Sequence, residues 1–105
     1  MKILICGLGS IGKRHANNLI HLKKENLIFF RERNHNLNDK KLKKKKTSNS
    51  LIKSLSEKPD VAFICNTTSK HIDTAIACAK KGCHLFIEKP LSNNLKKIKI
   101  LKSIV

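Results

Sequence analysis

Residues 3–12 constrain the fold of this chain more than any others. Ile3-Leu4-Ile5-Cys6 is a continuous apolar run, predicted as a buried strand, and it stops at Gly7-Leu8-Gly9-Ser10-Ile11-Gly12. An amphipathic stretch follows at once. In a G-x-G-x-x-G loop between strand and helix, the first glycine turns the chain tightly off the strand. The second lets the backbone approach a pyrophosphate, and the third lets the helix pack close to the strand. The N-terminus of that helix then offers free N–H groups and a positive dipole end to phosphate. Nucleotide binding is the expectation, with a plain tight turn as the alternative.

The rest of the chain repeats the strand–helix alternation. A first helix is predicted from about Ser10 to Leu22, with Ile11, His15, Leu19 and Leu22 on one face and His15 as a helix-packing histidine. Leu27-Ile28-Phe29-Phe30 reads as a second strand. From Arg31 to Ser50 the pattern fails, and Lys40–Lys46 carries six lysines in seven residues, a self-repelling block expected to be solvated. A weak helix and a short edge strand both remain open there. A helix over about Asn49–Glu57, with Leu51, Ile52 and Leu55 inward, is closed by Pro59.

Val61-Ala-Phe-Ile-Cys65 is a third strand, continuous and apolar as in a parallel sheet covered on both faces. Asn66-Thr67-Thr68-Ser69 turns into a helix carrying Ile72, Ala75, Ile76 and Ala79, with Thr68 or Ser69 as its cap. That helix ends at Lys80-Lys81-Gly82, cations and a glycine where a C-terminus favours them. Cys83–Ile87 is a fourth strand running into Glu88-Lys89-Pro90, and Ser92 caps a last helix with Leu95, Ile98 and Leu101 inward. This alternation predicts an α/β fold with a doubly wound parallel sheet. Its ligand would lie across the carboxyl ends of the strands, where Gly7–Gly12, Asn66–Ser69 and Glu88–Pro90 converge.

Composition narrows the function classes. The 105 residues suffice for one domain, and no apolar run approaches the roughly 20 residues a membrane helix needs. With Met1 leading straight into the first strand, a cytoplasmic protein without a targeting segment is expected. Cys6, Cys65, Cys78 and Cys83 form no C-x-x-C and are expected to be structural, with no metal site. The net charge of +16 invites a nucleic-acid reading. Yet Arg14, Arg31 and Arg33 are the only arginines, and specific phosphate and base recognition leans on the planar arginine fork. Nonspecific binding to polyanions at low salt is expected. Phe29, Phe30, Phe63 and Phe86 fall in predicted strands as core residues, leaving no stacking platform for bases.

Three segments in order carry a family resemblance: Gly7-Leu-Gly-Ser-Ile-Gly-Lys-Arg-His15, Pro59-Asp-Val-Ala-Phe-Ile-Cys-Asn-Thr-Thr-Ser-Lys-His71, and Glu88-Lys89-Pro90-Leu91. The chain resembles the N-terminal domain of the Gfo/Idh/MocA oxidoreductases, with Glu-Lys-Pro the most specific of the three. The resemblance implies a three-layer Rossmann-type domain over residues 1–105, lacking the sixth strand, with 34–50 as a lysine-rich variable segment and no second domain. It implies NAD or NADP bound by Gly7, Gly9, Ser10, Ile11 and Gly12, with Asn66, Thr67, Thr68 and Ser69 lining the ribose side, His71, Glu88 and Pro90 also cofactor-binding, and Lys89 beside the nicotinamide. Thr67 stands where the family often has Pro.

Lys89 is the catalytic candidate: beside the nicotinamide, it would position or polarise a substrate hydroxyl. At the end of the second strand, Glu32 facing the ribose would favour NAD and Arg31 would favour NADP; two arginines in that run tilt the expectation to NADP. Family enzymes move hydride to or from a hydroxyl-bearing carbon of a sugar, cyclitol or nucleotide-sugar. Such a reaction needs a proton acceptor. His71 opens a helix and His84 begins a strand at the wrong end, so neither offers one. The expectation is therefore the cofactor-binding half of such an oxidoreductase, truncated or split, completed by a separate substrate-domain chain or by homo-oligomerisation. A freestanding dinucleotide-binding or sensing module is the alternative, and a nonspecific basic nucleic-acid binder a weaker one.

Overall fold

Four short apolar runs become the strands that carry the fold. The computed structural model describes residues 1–23, 26–31, 42, 45–88 and 95–104. Within them the order is β1 (Ile3–Cys6), α1 (Ser10–His21), β2 (Leu27–Phe30), β3 (Lys46–Ser48), α2 (Leu51–Ser56), β4 (Val61–Ile64), α3 (Thr68–Lys80), β5 (His84–Ile87) and α4 (Leu95–Ile104). The strands form one five-stranded sheet in the order β3-β2-β1-β4-β5, every pair parallel. Ile5 sits in register between Phe29 and Phe63, and Phe63 is level with Phe86. This is the doubly wound α/β sheet that the alternation predicts.

Side chains alternate across the sheet and split the core in two. On one face Leu4, Cys6, Ile28, Phe30, Ala62 and Ile64 pack under Leu55 of α2, Ile72, Ala75, Cys78 and Ala79 of α3, and Leu101 of α4. On the other face Ile3, Ile5, Leu27 and Phe29 pack with Leu8, Ala16 and Leu42. Full burial of a Leu, Ile or Phe contributes about 1.5–3 kcal/mol, so β1, buried at all four positions, anchors both halves.

Helix ends follow their local chemistry. At the end of α3, Gly82 takes φ +82°, its N–H bonds to Ala79 O at 2.9 Å and the Cys83 N–H to Cys78 O at 3.2 Å. This pair of bonds is a Schellman closure, as the glycine predicts. Lys58, at φ +56°, holds the equivalent left-handed position after α2, with its N–H on Leu55 O at 3.0 Å. Ser50 caps α2 by accepting from the Lys53 N–H.

Several expectations change. The inward face of α1 is built on Gly12 and Ala16, with Leu19 and Ile20 partly covered, while Ile11 and Leu22 are exposed. The helix lies too close to the sheet for larger residues at its centre. On α2 Ile52 points to solvent, 84% exposed, and Ser54 is buried beside Leu55. Phe86 is 46% exposed rather than core, since no described element covers that part of the second face. The open question at 31–50 resolves in part as the edge strand β3, so Lys46 of the lysine block is in a strand; Leu42 is buried. The residue before α3 is Thr67, with no side-chain cap bond. Cys65 lies just past β4. The remainder of the lysine block and the cap proposed at Ser92 lie outside the described residues.

These assignments predict unequal losses. Leu4→Ala should cost about 2–5 kcal/mol in urea unfolding, whereas Ile52→Ala should stay within about 0.5 kcal/mol of the parent. Lys58→Gly should raise stability by about 1 kcal/mol, because it relieves a left-handed backbone at a residue with a Cβ.

Candidate functional site

The site is built where β1, β2, β4 and β5 all end, on one edge of the sheet. The loop after β1 is held by backbone alone. Gly7 donates its N–H to Phe30 O at 2.8 Å and adopts φ +94°, and a Cβ there would lie 2.7 Å from the Cα of Asn66. A Cβ on Gly12 would stand 1.9 Å from the carbonyl oxygen of Gly7. Strand β1, the first turn of α1 and the loop after β4 therefore meet with no side chain between them. Among the described residues, a Cβ on Gly9 meets nothing within 4 Å, so no described atom fills the space beside it.

Gly9 precedes α1, and its carbonyl accepts the Lys13 N–H at 3.0 Å as the first helical bond. The N–H groups of Ser10, Ile11 and Gly12 belong to the first turn, which has no intrahelical acceptors to offer them. No side chain caps this end and no acidic residue stands in the first turn. A shelf of donors at the positive end of a 12-residue helix, beside the open Gly9, suits a pyrophosphate.

The loop after β4 is pinned from within. Cys65 N–H bonds Cys6 O at 2.9 Å, Asn66 Nδ2 donates to Thr74 Oγ1 at 2.9 Å, and His71 Nε2 donates to Asn66 O. Asn66 Oδ1 is buried and has no hydrogen-bond partner among the described residues. Such an orphan acceptor carries a desolvation cost that a donor arriving with a ligand would remove. His71 itself is 3% exposed. Its ring supports the loop through the bond to Asn66 O.

At the end of β5, the Glu88 N–H continues the ladder to Ile64 O at 3.1 Å, and its carboxylate Oε1 meets His15 Nε2 of α1. The His15 ring lies against Phe63 and Phe86, at centroid distances of 5.3 and 5.2 Å. Burial, and then the charge of Glu88, push the Cys65 thiol up to about 12; burial chiefly lifts Cys83 to about 11. Cys6 is raised as well, first by its hydrogen bond to Cys78 and then by burial. None of these three is a thiolate at neutral pH, in keeping with structural cysteines.

Gly7, Gly9, Ser10, Ile11, Gly12, Arg31, Asn66, Thr67, Thr68 and Glu88 are thus brought to one edge. Arg31 reaches it by extending β2, its N–H on Ser48 O at 2.9 Å. Glu32, Lys89 and Pro90 lie outside the described residues. Sequence reasoning missed the Asn66–Thr74 bond and the His15–Glu88 pair. The pair's one sequence signal was a polar residue on an otherwise apolar helix stripe. The two described hollows lie off this edge. One of about 390 Å³ lies between β3 and α2, and one of about 540 Å³ is lined by Pro59, Asp60 and His84 at the opposite end of the strands.

The residues present fit a dinucleotide: an unobstructed glycine, free helix donors and an orphaned acceptor share one edge. Comparison with known proteins agrees. The model of the Gfo/Idh/MocA oxidoreductase family, described as having an NAD-binding Rossmann fold, matches residues 1–105. Myo-inositol 2-dehydrogenase of Thermotoga maritima is 35% identical over 103 residues, covering 90% of this chain and 30% of that protein. A probable dehydrogenase from Thermotoga maritima superposes with TM-score 0.81 at 30% identity, over 99% of this chain and 32% of its own. Scyllo-inositol dehydrogenase from Lactobacillus casei, solved with NAD(H) and scyllo-inositol, gives TM-score 0.80 at 24% identity, over 99% of this chain and 32% of its own. The chain thus spans about a third of the length of these relatives. It belongs to the Gfo/Idh/MocA oxidoreductase family and corresponds to that family's NAD-binding Rossmann domain.

Proposed function

We propose that this chain holds a nicotinamide dinucleotide across the carboxyl edge of its sheet and forms the cofactor half of a dehydrogenase. The substrate class proposed is a polyol, sugar or nucleotide-sugar oxidised at a hydroxyl-bearing carbon. The observation that carries the reading is the donor shelf of Ser10, Ile11 and Gly12 beside an open Gly9, facing no acid of its own helix. When bound, the dinucleotide supplies a hydride acceptor or donor. The chain's residues orient it: Gly9 admits the pyrophosphate, the α1 donors bind it, and the loop at Asn66 walls the ribose side. Lys89 is proposed to position or polarise the substrate hydroxyl, since an ammonium stabilises a developing alkoxide.

A proton acceptor is still needed. Of the four described histidines, His15 is engaged with Glu88, His21 lies at the far end of α1, His71 is buried against Asn66 O, and His84 stands at the amino ends of the strands. A substrate-binding domain, or another copy of the chain in a homo-oligomer, is therefore proposed to supply it, in a cytoplasmic setting. The charge of +16 adds weak, salt-sensitive binding to polyanions.

Between the two nicotinamide dinucleotides we favour NADP, because Arg31 extends β2 onto the same edge and Arg33 follows it. Titration followed by nicotinamide fluorescence should show saturable binding, tighter for NADPH than for NADH. Arg31→Ala should weaken NADPH about tenfold, the equivalent of one charge-assisted hydrogen bond, and leave NADH within about twofold. Equal or tighter binding of NADH by the parent protein would reverse the preference. No binding of either by folded protein would remove the cofactor reading.

The glycines separate folding from binding. Gly12→Ala must push backbone from backbone and should lower stability by about 1–3 kcal/mol in urea. Gly9→Val should unfold as the parent does, within about 0.5 kcal/mol, while losing most of its cofactor affinity.

A further inference from the structure

His15 and Glu88 are 73 residues apart in sequence and touch through Nε2 and Oε1. Their side chains are 21% and 27% exposed, so the contact is sheltered but not sealed. The imidazole is fixed on two sides. Phe63 and Phe86 stack on each other with centroids 4.9 Å apart, and the His15 ring stands edge-on to Phe86 at 67°. The partner is fixed as well, since the Glu88 N–H is already tied to Ile64 O. One side chain of α1 therefore ties the helix that presents the donor shelf to the point where the chain leaves β5, one residue before Lys89.

This position has a consequence for a ligand that spans the edge. On the cofactor reading proposed above, the pyrophosphate would lie at the α1 N-terminus and the nicotinamide near Glu88 at the end of β5. The α1 donors would then act on the first portion, and Glu88 would stand beside the second. The His15–Glu88 contact is the described side-chain link between them. It also leaves Glu88 Oε2 outside the contact with His15 and holds the carboxylate in one orientation.

We propose that His15 is a positioning residue for the nicotinamide end of the bound dinucleotide, acting through the Glu88 carboxylate at the end of β5. The proposal rests on the cofactor reading above. It concerns the placement of the nicotinamide rather than the affinity of the phosphates. His15 touches neither portion and is not a catalytic residue.

The test uses His15→Phe, which keeps an aromatic ring against Phe63 and Phe86 but removes the nitrogen that meets Glu88, and Glu88→Gln, which removes the charge. NADH and NADPH are titrated into the full chain by nicotinamide fluorescence. Each is compared with its nicotinamide-free counterpart, ADP-ribose or 2′-phospho-ADP-ribose, measured by calorimetry. In both variants the reduced dinucleotide should bind about tenfold more weakly, and the emission of the remaining complex should shift toward that of free cofactor. The nicotinamide-free ligands should stay within about twofold of the parent. Unchanged NADH and NADPH binding and emission in folded variants would overturn the proposal. So would an equal loss of both ligand types, which would make the contact a general support for α1. If His15→Phe fails to fold, Glu88→Gln decides by the same two outcomes. Failure of the parent protein to bind any of the four ligands would instead remove the cofactor reading, so the two failures are distinguishable.

Discussion

The backbone contact of Gly12 with Gly7, and of Gly7 with Asn66, governs the rest of the site. A hydrogen in place of a methyl at each point lets the first turn of α1 rest on the carbonyl of Gly7, and lets that loop rest on the start of the loop after β4. Three chain segments that side chains would hold apart are brought to van der Waals distance. The low seat of the helix then continues inward. One turn beyond Gly12 the inward residue is Ala16, fully buried, and the bulkier Leu19 and Ile20 come only where the helix has space above the sheet. A helix held this low aims its N-terminus across the strand ends, which is why the free donors and the open Gly9 face the same edge as Asn66 and Glu88.

The two faces of the sheet are covered unequally by the described elements. Three helices close the face bearing Leu4, Cys6 and Ile64. The other face has α1 and Leu42 over β1 and β2, and the aromatic pair Phe63–Phe86 lies toward its open side. His15 stands at that boundary. Its ring extends the apolar cover of α1 over Phe63, while its nitrogen turns to Glu88. A leucine would have given the packing without the polar contact, so the histidine does two things that neither an apolar nor a small polar residue could do together.

Those inequalities explain what could be read from the chain in advance. Ile3–Cys6, Leu27–Phe30 and Val61–Ile64 announce themselves because strands of a parallel sheet carry near-continuous apolar runs, and the glycine loop fixes how the first of them ends. Lys46-Thr47-Ser48 does not, because an edge strand of three residues with one free side needs no apolar signal. Periodicity misplaces the faces of α1 and α2 for a related reason: it counts large apolar residues, and at a close approach the buried positions belong to Gly12, Ala16 and Ser54. The strand ends where the three candidate loops begin were legible, with Glu88 the described residue of the third. What was hidden was how they are held, since His71 to Asn66 and His15 to Glu88 are polar contacts between elements that only the folded topology brings together.

The placement of acids completes the electrostatic case for the shelf. Four carboxylates fall among the described residues. Glu57 lies beside Lys46 and Lys2, and the Lys46 ammonium holds it below the usual carboxylate range. Asp60 accepts the Lys2 N–H at 2.8 Å, at the amino ends of the strands. Asp73 is paired with Lys97 at 2.8 Å, away on α3. Glu88 alone stands at the carboxyl edge, and its Oε1 is taken by His15. A free carboxylate near the α1 N-terminus would compete for the same donors and repel a doubly charged pyrophosphate. Among the described residues, the acid at this edge is engaged by a histidine of α1, and none stands in the first turn of that helix. Glu88 Oε1 is thereby turned toward His15.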